Sequence, residues 1–457
     1  MIFFKGVIVM SYAVMVVGGG ISGALAATAA ARLGAETLLV EQYGFLGGML
    51  TAAGVGPMMT FHAGNKQVIR GLAAELVDRL VARGKSPGHL FDTTGYTYSV
   101  TPFDAEALKQ ELETMFLESG GELLYHTQLA AVTVAGNAIQ KITVCNKAGL
   151  SELTAKIYID ASGDADLAAW AGVGFTKGRA RDGLSQPMTM NLKLRNVDIA
   201  AVRDFIKAHP DEFPRLKGET DIIDRAPRLS IGGFVKTLQA ARARGEISFE
   251  REDLLFFETN LPGEVIVNTG RILGCDGCDP WSLTRAEVEG RKQIRELEAF
   301  LKTRVPGFAA AEVVGSGPAV GVRGSRQIRG LYTLTQEDVL SCRPFPDVVA
   351  HSGYPLDIHN PDGAGTDSTH LPWGAYYGIP YRCLLNEQVL NLITVGRCIS
   401  ATFEAQAAIR TTPSAGAIGH AGGVAAALAA ERDCHPVAIP ASAIQAALIG
   451  QGAFIDG

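Results

Sequence analysis

Residues Tyr12 to Glu41 read YAVMVVGGGISGALAATAAARLGAETLLVE, and the fold is decided by how this stretch is read. A six-residue apolar run, Tyr12 to Val17, ends in Gly18-Gly19-Gly20-Ile21-Ser22-Gly23. An alanine-rich segment without proline follows as far as Gly34, and a second apolar run, Thr37 to Val40, ends in Glu41. The pattern predicts a strand, a glycine turn, a helix and a second, parallel strand.

Each residue of the turn has a physical task. Gly18 permits the tight exit from the strand, Gly20 has no side chain to keep a pyrophosphate from the backbone, and Gly23 lets the helix lie close on the sheet. The unpaired N–H groups of the helix N-terminus then face the phosphates. Glu41, eighteen residues after Gly23, stands where a carboxylate accepts hydrogen bonds from ribose hydroxyls. A carboxylate there repels a ribose 2′-phosphate, so the spacing points to FAD or NAD rather than NADP.

The bulk properties agree. With 457 residues, 47% of them apolar and 19% charged, the chain can bury a large core and is expected to form two domains. A net charge of −6 without a lysine or arginine cluster gives no attraction to nucleic acid or anionic membrane. The seven cysteines are scattered and odd in number, which suits a reducing cytoplasm. Met1 to Val17 has the outline of a signal peptide, but the run continues into the nucleotide-binding strand, and Met10 is an alternative start.

After Glu41 comes a glycine-rich loop, Gly44 to Thr51, at the carboxyl edge of the predicted sheet, where ligands of such folds lie. Thr101-Pro102-Phe103-Asp104 reads as a helix start capped by Thr101, with Ala105, Leu108, Leu112, Met115 and Phe116 at helical spacing. Glu122 to His126 reads as a strand, and Ala131 to Ile159 as a β-meander. Ile157 to Asp166 reads as an apolar strand ending in a small acidic turn, either a cofactor contact or a helix cap. From about Phe175 to Arg382 polar loops and prolines predominate. Leu390 to Val395 then restores a buried strand, and a last helix opens at Arg410-Thr411-Thr412-Pro413. The expected architecture is α/β: a Rossmann-like nucleotide-binding domain with parallel sheet and meander (10–174 and 383–457) interrupted by an α+β substrate domain (175–382).

Several stretches, taken in order, resemble one group. They are the Gly18 turn with Glu41, Gly44 to Thr51 (GFLGGMLT), Asp160 to Asp166 (DASGDAD), Gly321 to Gly330, Asp357 to His359, Ile379 to Arg382 (IPYR) and Gly396 to Ser400 (GRCIS). The chain resembles the FAD-dependent oxidoreductases of the glutathione-reductase-like superfamily, nearest to the family containing the flavin domain of heterodisulfide reductase. Fumarate reductase flavoproteins and thiazole synthases are more distant. The resemblance implies non-covalent FAD, with Gly18, Gly20, Ser22 and Gly23 at the pyrophosphate and Glu41 at the adenosine ribose. It implies Gly47, Gly48 and Met49 near the flavin, and Asp164, Gly396 and Arg397 along the pyrophosphate and ribityl chain. The helix beginning near Thr412 would point its positive end at the flavin pyrimidine. The attachment histidine of fumarate reductases has no counterpart in Gly44 to Thr51. Cys275 and Cys278 alone cannot hold an iron–sulfur cluster, so neither cluster nor metal site is expected.

Flavin chemistry requires a group to move a proton and charges to orient the substrate. Arg323 and Arg326 are the candidates for orienting a carboxylate or phosphate, and His359 and Tyr381 for proton transfer, with His62 and His370 behind them. The expected activity is hydride transfer between a small organic substrate and FAD, with electrons exchanged with a separate acceptor. A redox-neutral flavoenzyme and an NAD-dependent dehydrogenase are the alternatives. A homo-oligomer is compatible with the sequence.

Overall fold

The computed structural model describes residues 11–455; the choice between Met1 and Met10 as start lies outside them. Strand β1 (Ser11–Val17), helix α1 (Ile21–Arg32) and strand β2 (Thr37–Val40) form the predicted unit, with β1 and β2 parallel from Val14↔Thr37 to Val17↔Val40. Both strands are apolar nearly throughout because both faces of a parallel sheet are covered. Helix α2 (Ala105–Glu118) starts three residues later than the sequence suggests. Asp104, not Thr101, is its cap, accepting hydrogen bonds from Glu106 N and Ala107 N, while Thr101 closes the short strand Ser99–Thr101.

Strand β3 (Glu122–Leu124) adds to the outer edge of β2, and β4 (Gln128–Ala135), β5 (Ala138–Asn146) and β6 (Gly149–Asp160) follow as a meander. The last of these is one continuous strand of 12 residues. Its first half pairs antiparallel with β5 (Ile142↔Leu153), and its second half pairs parallel with β1, ending at Val17↔Asp160. No glycine or proline interrupts Leu150 to Asp160, so meander and parallel strand are the same piece of chain.

A second sheet contains β7 (Leu192–Arg195), β8 (Ser230–Gly233), β9 (Leu254–Glu258), β10 (Val265–Val267) and β11 (Glu312–Ser316). It is antiparallel in the order β8-β9-β10-β7-β11. Helix α3 (Pro280–Arg304) contributes Leu297, Phe300 and Leu301 to the same apolar core as Leu192, Phe256 and Val267. The chain then makes the hairpin β12 (Leu356–His359) and β13 (Thr366–Thr369). It returns to the first sheet as β14 (Leu392–Thr394), parallel to β6 through Tyr158↔Leu392. The fold is thus a Rossmann-like α/β unit closed by chain from both sides of an inserted α+β segment.

Helix α4 (Thr412–Glu431) opens with Pro413 in its first turn, as the sequence predicts, but it is not the last. A further helix, Ala441–Gly450, follows; its sequence ASAIQAALIG has no charged face to mark it as one. Packing of α4 on α1 requires missing side chains. A Cβ at Gly419 would lie 2.1 Å from Ser22 O, and one at Gly423 2.0 Å from Ala26 O, so the two backbones touch.

Gly423→Val should therefore cost about 1–3 kcal/mol or more, as overpacking does, read as a lower denaturation midpoint. His420, on α4, is buried, and its Nε2 lies 2.8 Å from Gln451 Oε1. Burial pushes its imidazole down from 6.5 to about 4. Below pH 6.5 the unfolded chain takes up a proton that the folded chain refuses until about pH 4, so stability falls across that interval. His420→Gln should flatten this acid limb in a pH series of denaturation curves.

Candidate active site

The carboxyl ends of β1 and β6, the amino ends of α1 and α4, and the second sheet share one cavity of about 640 Å³. Two helix N-termini therefore reach the same space, and neither has a side-chain cap: Gly20 precedes α1 and Thr411 precedes α4. Helix ends without caps leave N–H groups available to an anion.

Most of the expected cofactor residues are on the wall of this cavity. Gly18, Gly20 and Ser22 line it near the first turn, and Glu41 lies beside them. Glu41 is 6% exposed, and burial pushes its carboxyl up, against the hydrogen bonds it accepts from Tyr43 N (2.8 Å) and Gly19 N (2.5 Å). Gly48, Met49 and Asp164 line the cavity, as do Gly396, Arg397 and Thr412. Two of the expected residues do not. Gly23 instead sits where a Cβ would lie 1.8 Å from Gly18 O, which is the close helix–sheet packing its position suggested. Gly47 docks the GFLGGMLT loop on the first turn, its N–H donating to Gly19 O at 2.9 Å.

The wall itself tests the fit of FAD. A Cβ built on Gly20 meets nothing nearer than Gly48 Cα at 3.9 Å, so Gly20 keeps open a space that the protein does not fill. Arg397 donates through Nη2 to Asp164 Oδ1 at 2.8 Å, while its Nε is buried without a hydrogen-bond partner among the described residues. Asn191 lines the same cavity with its Oδ1 buried and unpartnered among the described residues. A long molecule with an anionic centre and polar ends fits these donors and acceptors.

The candidates for chemistry separate. Arg323 lines the cavity and donates through Nη1 to Pro187 O (2.6 Å) and Thr189 Oγ1 (2.7 Å). His359 also lines it, at the end of β12. Arg326 does not: its Nη1 is held by Asp166 Oδ1 (2.7 Å) and Asp164 O (3.0 Å), which makes it a brace for the DASGDAD turn. Tyr381 does not line the cavity either, contrary to the sequence expectation. It is 4% exposed, belongs to the main apolar core and donates its hydroxyl to Pro436 O, as a buried phenol must find an acceptor. His62 bonds Ser99 Oγ at 2.8 Å, and His370 stacks edge-on against Tyr96; neither lines the cavity.

The hub of the site is Asp357. It accepts from Tyr96 OH (2.9 Å), Tyr354 OH (3.2 Å) and Arg410 Nη2 (3.0 Å), and lies 3.3 Å from His359 Nε2. Burial alone would raise its carboxyl, but the hydrogen bond from His359 Nε2, the charge of Arg410 and the hydroxyl of Tyr96 outweigh burial and hold it well below the usual carboxylate range. His359 moves well below its own range through burial and then through the charge of Arg323, against the pull of Asp357. The pair is therefore an ionised carboxylate and a neutral imidazole. Asp357 fixes the ring proton on Nε2, which leaves Nδ1 to accept from Thr366 Oγ1 at 3.3 Å. Thr366 faces His359 across the β12–β13 hairpin and also lines the cavity. Arg410, Tyr96, Tyr354 and Thr366 carry no local motif, so the sequence alone does not single them out.

The family model of FAD dependent oxidoreductases matches residues 13–448, and the chain belongs to that family. It is an enzyme that uses FAD. None of the curated proteins matches it. Among solved structures it is similar to a geranylgeranyl bacteriochlorophyll reductase-like protein from Thermoplasma acidophilum, with 12% identity and a TM-score of 0.50 over 96% of this chain and 82% of that one. It is also similar to a flavin-dependent brominase, with 13% identity and a TM-score of 0.49 over 96% and 83%. Likeness at these identities is one of fold. Among the described residues no helix is long and apolar enough to cross a membrane.

Gly20→Val should fold, since its Cβ meets only Gly48 Cα at 3.9 Å, yet it should be purified with little flavin. The ratio of flavin to protein absorbance checks this, with circular dichroism as the control for folding.

Proposed function

We propose that this enzyme transfers a hydride between a small organic anion and non-covalently bound FAD and exchanges electrons with a separate acceptor. Within its family we place it nearest the flavin domain of heterodisulfide reductase, on the strength of the GFLGGMLT, DASGDAD, IPYR and GRCIS stretches. The observation that carries the reading is that one cavity holds both the open Gly20 cradle and the Arg323, Asp357, His359 and Thr366 group.

Bound FAD supplies the hydride acceptor or donor. The protein supplies the rest. Arg323 offers a planar fork to an anionic group and so fixes the orientation of the substrate. The neutral His359 takes a proton at Nδ1 by way of the Thr366 hydroxyl, and Asp357 stabilises the imidazolium that results. Tyr96, Tyr354 and Arg410 keep Asp357 ionised for that purpose. Arg397, matched to Asp164, belongs to the cofactor end of the cavity.

Anaerobic mixing of the holoenzyme with candidate organic acids should bleach the flavin for the true substrate. Product formation with the flavin remaining oxidised throughout would assign a redox-neutral reaction instead. His359→Asn should slow flavin reduction by about 100-fold or more while flavin content stays unchanged, the usual scale for loss of a general base.

A further inference from the structure

Away from the cofactor residues, the cavity is lined by four arginines: Arg215, Arg251, Arg323 and Arg410. Two carboxylates answer them. Asp357 pairs with Arg410 at 3.0 Å, and Asp253, set behind the wall, lies 2.8 Å from Arg215 and 3.6 Å from Arg251. Arg323 has only neutral acceptors, Pro187 O and Thr189 Oγ1, among the described residues. A fifth arginine, Arg271, is 3% exposed and donates through Nη2 to two backbone carbonyls. Its Nε and Nη1, and Nε of Arg410, are buried without a hydrogen-bond partner among the described residues.

The four lining guanidiniums thus exceed Asp253 and Asp357 by two charges, while Arg271, outside the lining, has Glu252 and Glu250 bearing on it as well as Asp357. His359, being neutral, does not change this balance. A guanidinium stays protonated in proteins, and a cluster of them removed from water is costly unless anions meet it. The residues expected at the cofactor pyrophosphate, Asp164 and Arg397, are paired with each other and are not among the groups that bear most on Arg323. The carboxylates that bear on Arg397 are Asp164 and Asp166, whereas the charges on Arg323 are Arg410, Arg251, Asp357 and Arg271. Leu255 and Phe257 of β9 line the same space and offer apolar surface to a short carbon backbone.

We propose that the substrate is a small molecule with two separated anionic groups and at least two negative charges, either two carboxylates or a carboxylate and a phosphate, one held by Arg323 with Arg410 and the other by Arg251 with Arg215. This rests on reading the cavity as the substrate site of the flavoenzyme. A monoanion would leave part of the excess unmatched, and a neutral molecule would leave all of that excess so.

The test is calorimetric titration of the oxidised holoenzyme with acetate, propionate, malonate, succinate, glutarate and phosphoglycolate, at low and high salt. At least one dianion should bind tenfold or more tightly than either monoanion, and salt should weaken that preference. Arg323→Gln should reduce the best dianion to the affinity of a monoanion with flavin content intact, and Arg323→Lys should retain part of the preference. If the glutamine variant does not accumulate folded, Arg251→Gln is read in the same way. Preference for succinate-like molecules over phosphoglycolate identifies dicarboxylates, and the reverse identifies phospho-acids. Equal binding of monoanions and dianions, or no binding of any of them by the wild-type holoenzyme, overturns the inference. Tight dianion binding with a flavin that no dianion reduces would leave the inference standing and remove the hydride-transfer reading. Reduction by an uncharged compound would do the opposite.

Discussion

The contact between α1 and α4 is the constraint on which the rest depends. Two helices of 12 and 20 residues lie with their backbones touching, because Gly419 and Gly423 present no Cβ to Ser22 and Ala26. Small residues on both sides let the helices approach closely enough for their amino ends to open into one cavity. A larger side chain at that seam would move one terminus away from the other. The electrostatics of the cofactor end would change with it, since uncapped N–H groups act on a ligand only at short range.

From this seam outward the molecule separates its electrical tasks. At one end Arg397 is matched by Asp164, and Arg326 by Asp166, so paired charges hold the DASGDAD turn rigid. At the other, Asp357 gathers two tyrosines, one arginine and one histidine, and the arginines beyond it outnumber their carboxylate partners. Paired charges position the chain; the unmatched ones are those the proposed substrate would meet. The hairpin β12–β13 brings His359 and Thr366 face to face, so their contact depends on strand register rather than on a loop.

The parts of this arrangement legible in the sequence are local ones. The β1-α1-β2 unit can be read because each of its elements is specified within a dozen residues: apolar runs for strands, glycines for the turn, alanines for the helix. The joining of meander and parallel strand into one β6 escapes that reading, although the absence of any breaker between Leu150 and Asp160 is the available signal. Arg326 and Tyr381 mislead for a different reason. Each stands in a polar-looking stretch, but the partners that occupy them, Asp166 and the carbonyl of Pro436, are distant in sequence. Asp357 stands out only as part of a short motif, because its role as hub depends on Tyr96 and Arg410, which tertiary structure alone brings to it.

Because β14 joins the sheet that contains β1 and α4 packs on α1, the pocket is written at both extremities of the insertion. A ribosome must deliver the chain as far as Thr412 before the amino end of α4 exists to meet that of α1. During synthesis the opening glycines therefore stand in an incomplete half-site until α4 has been made.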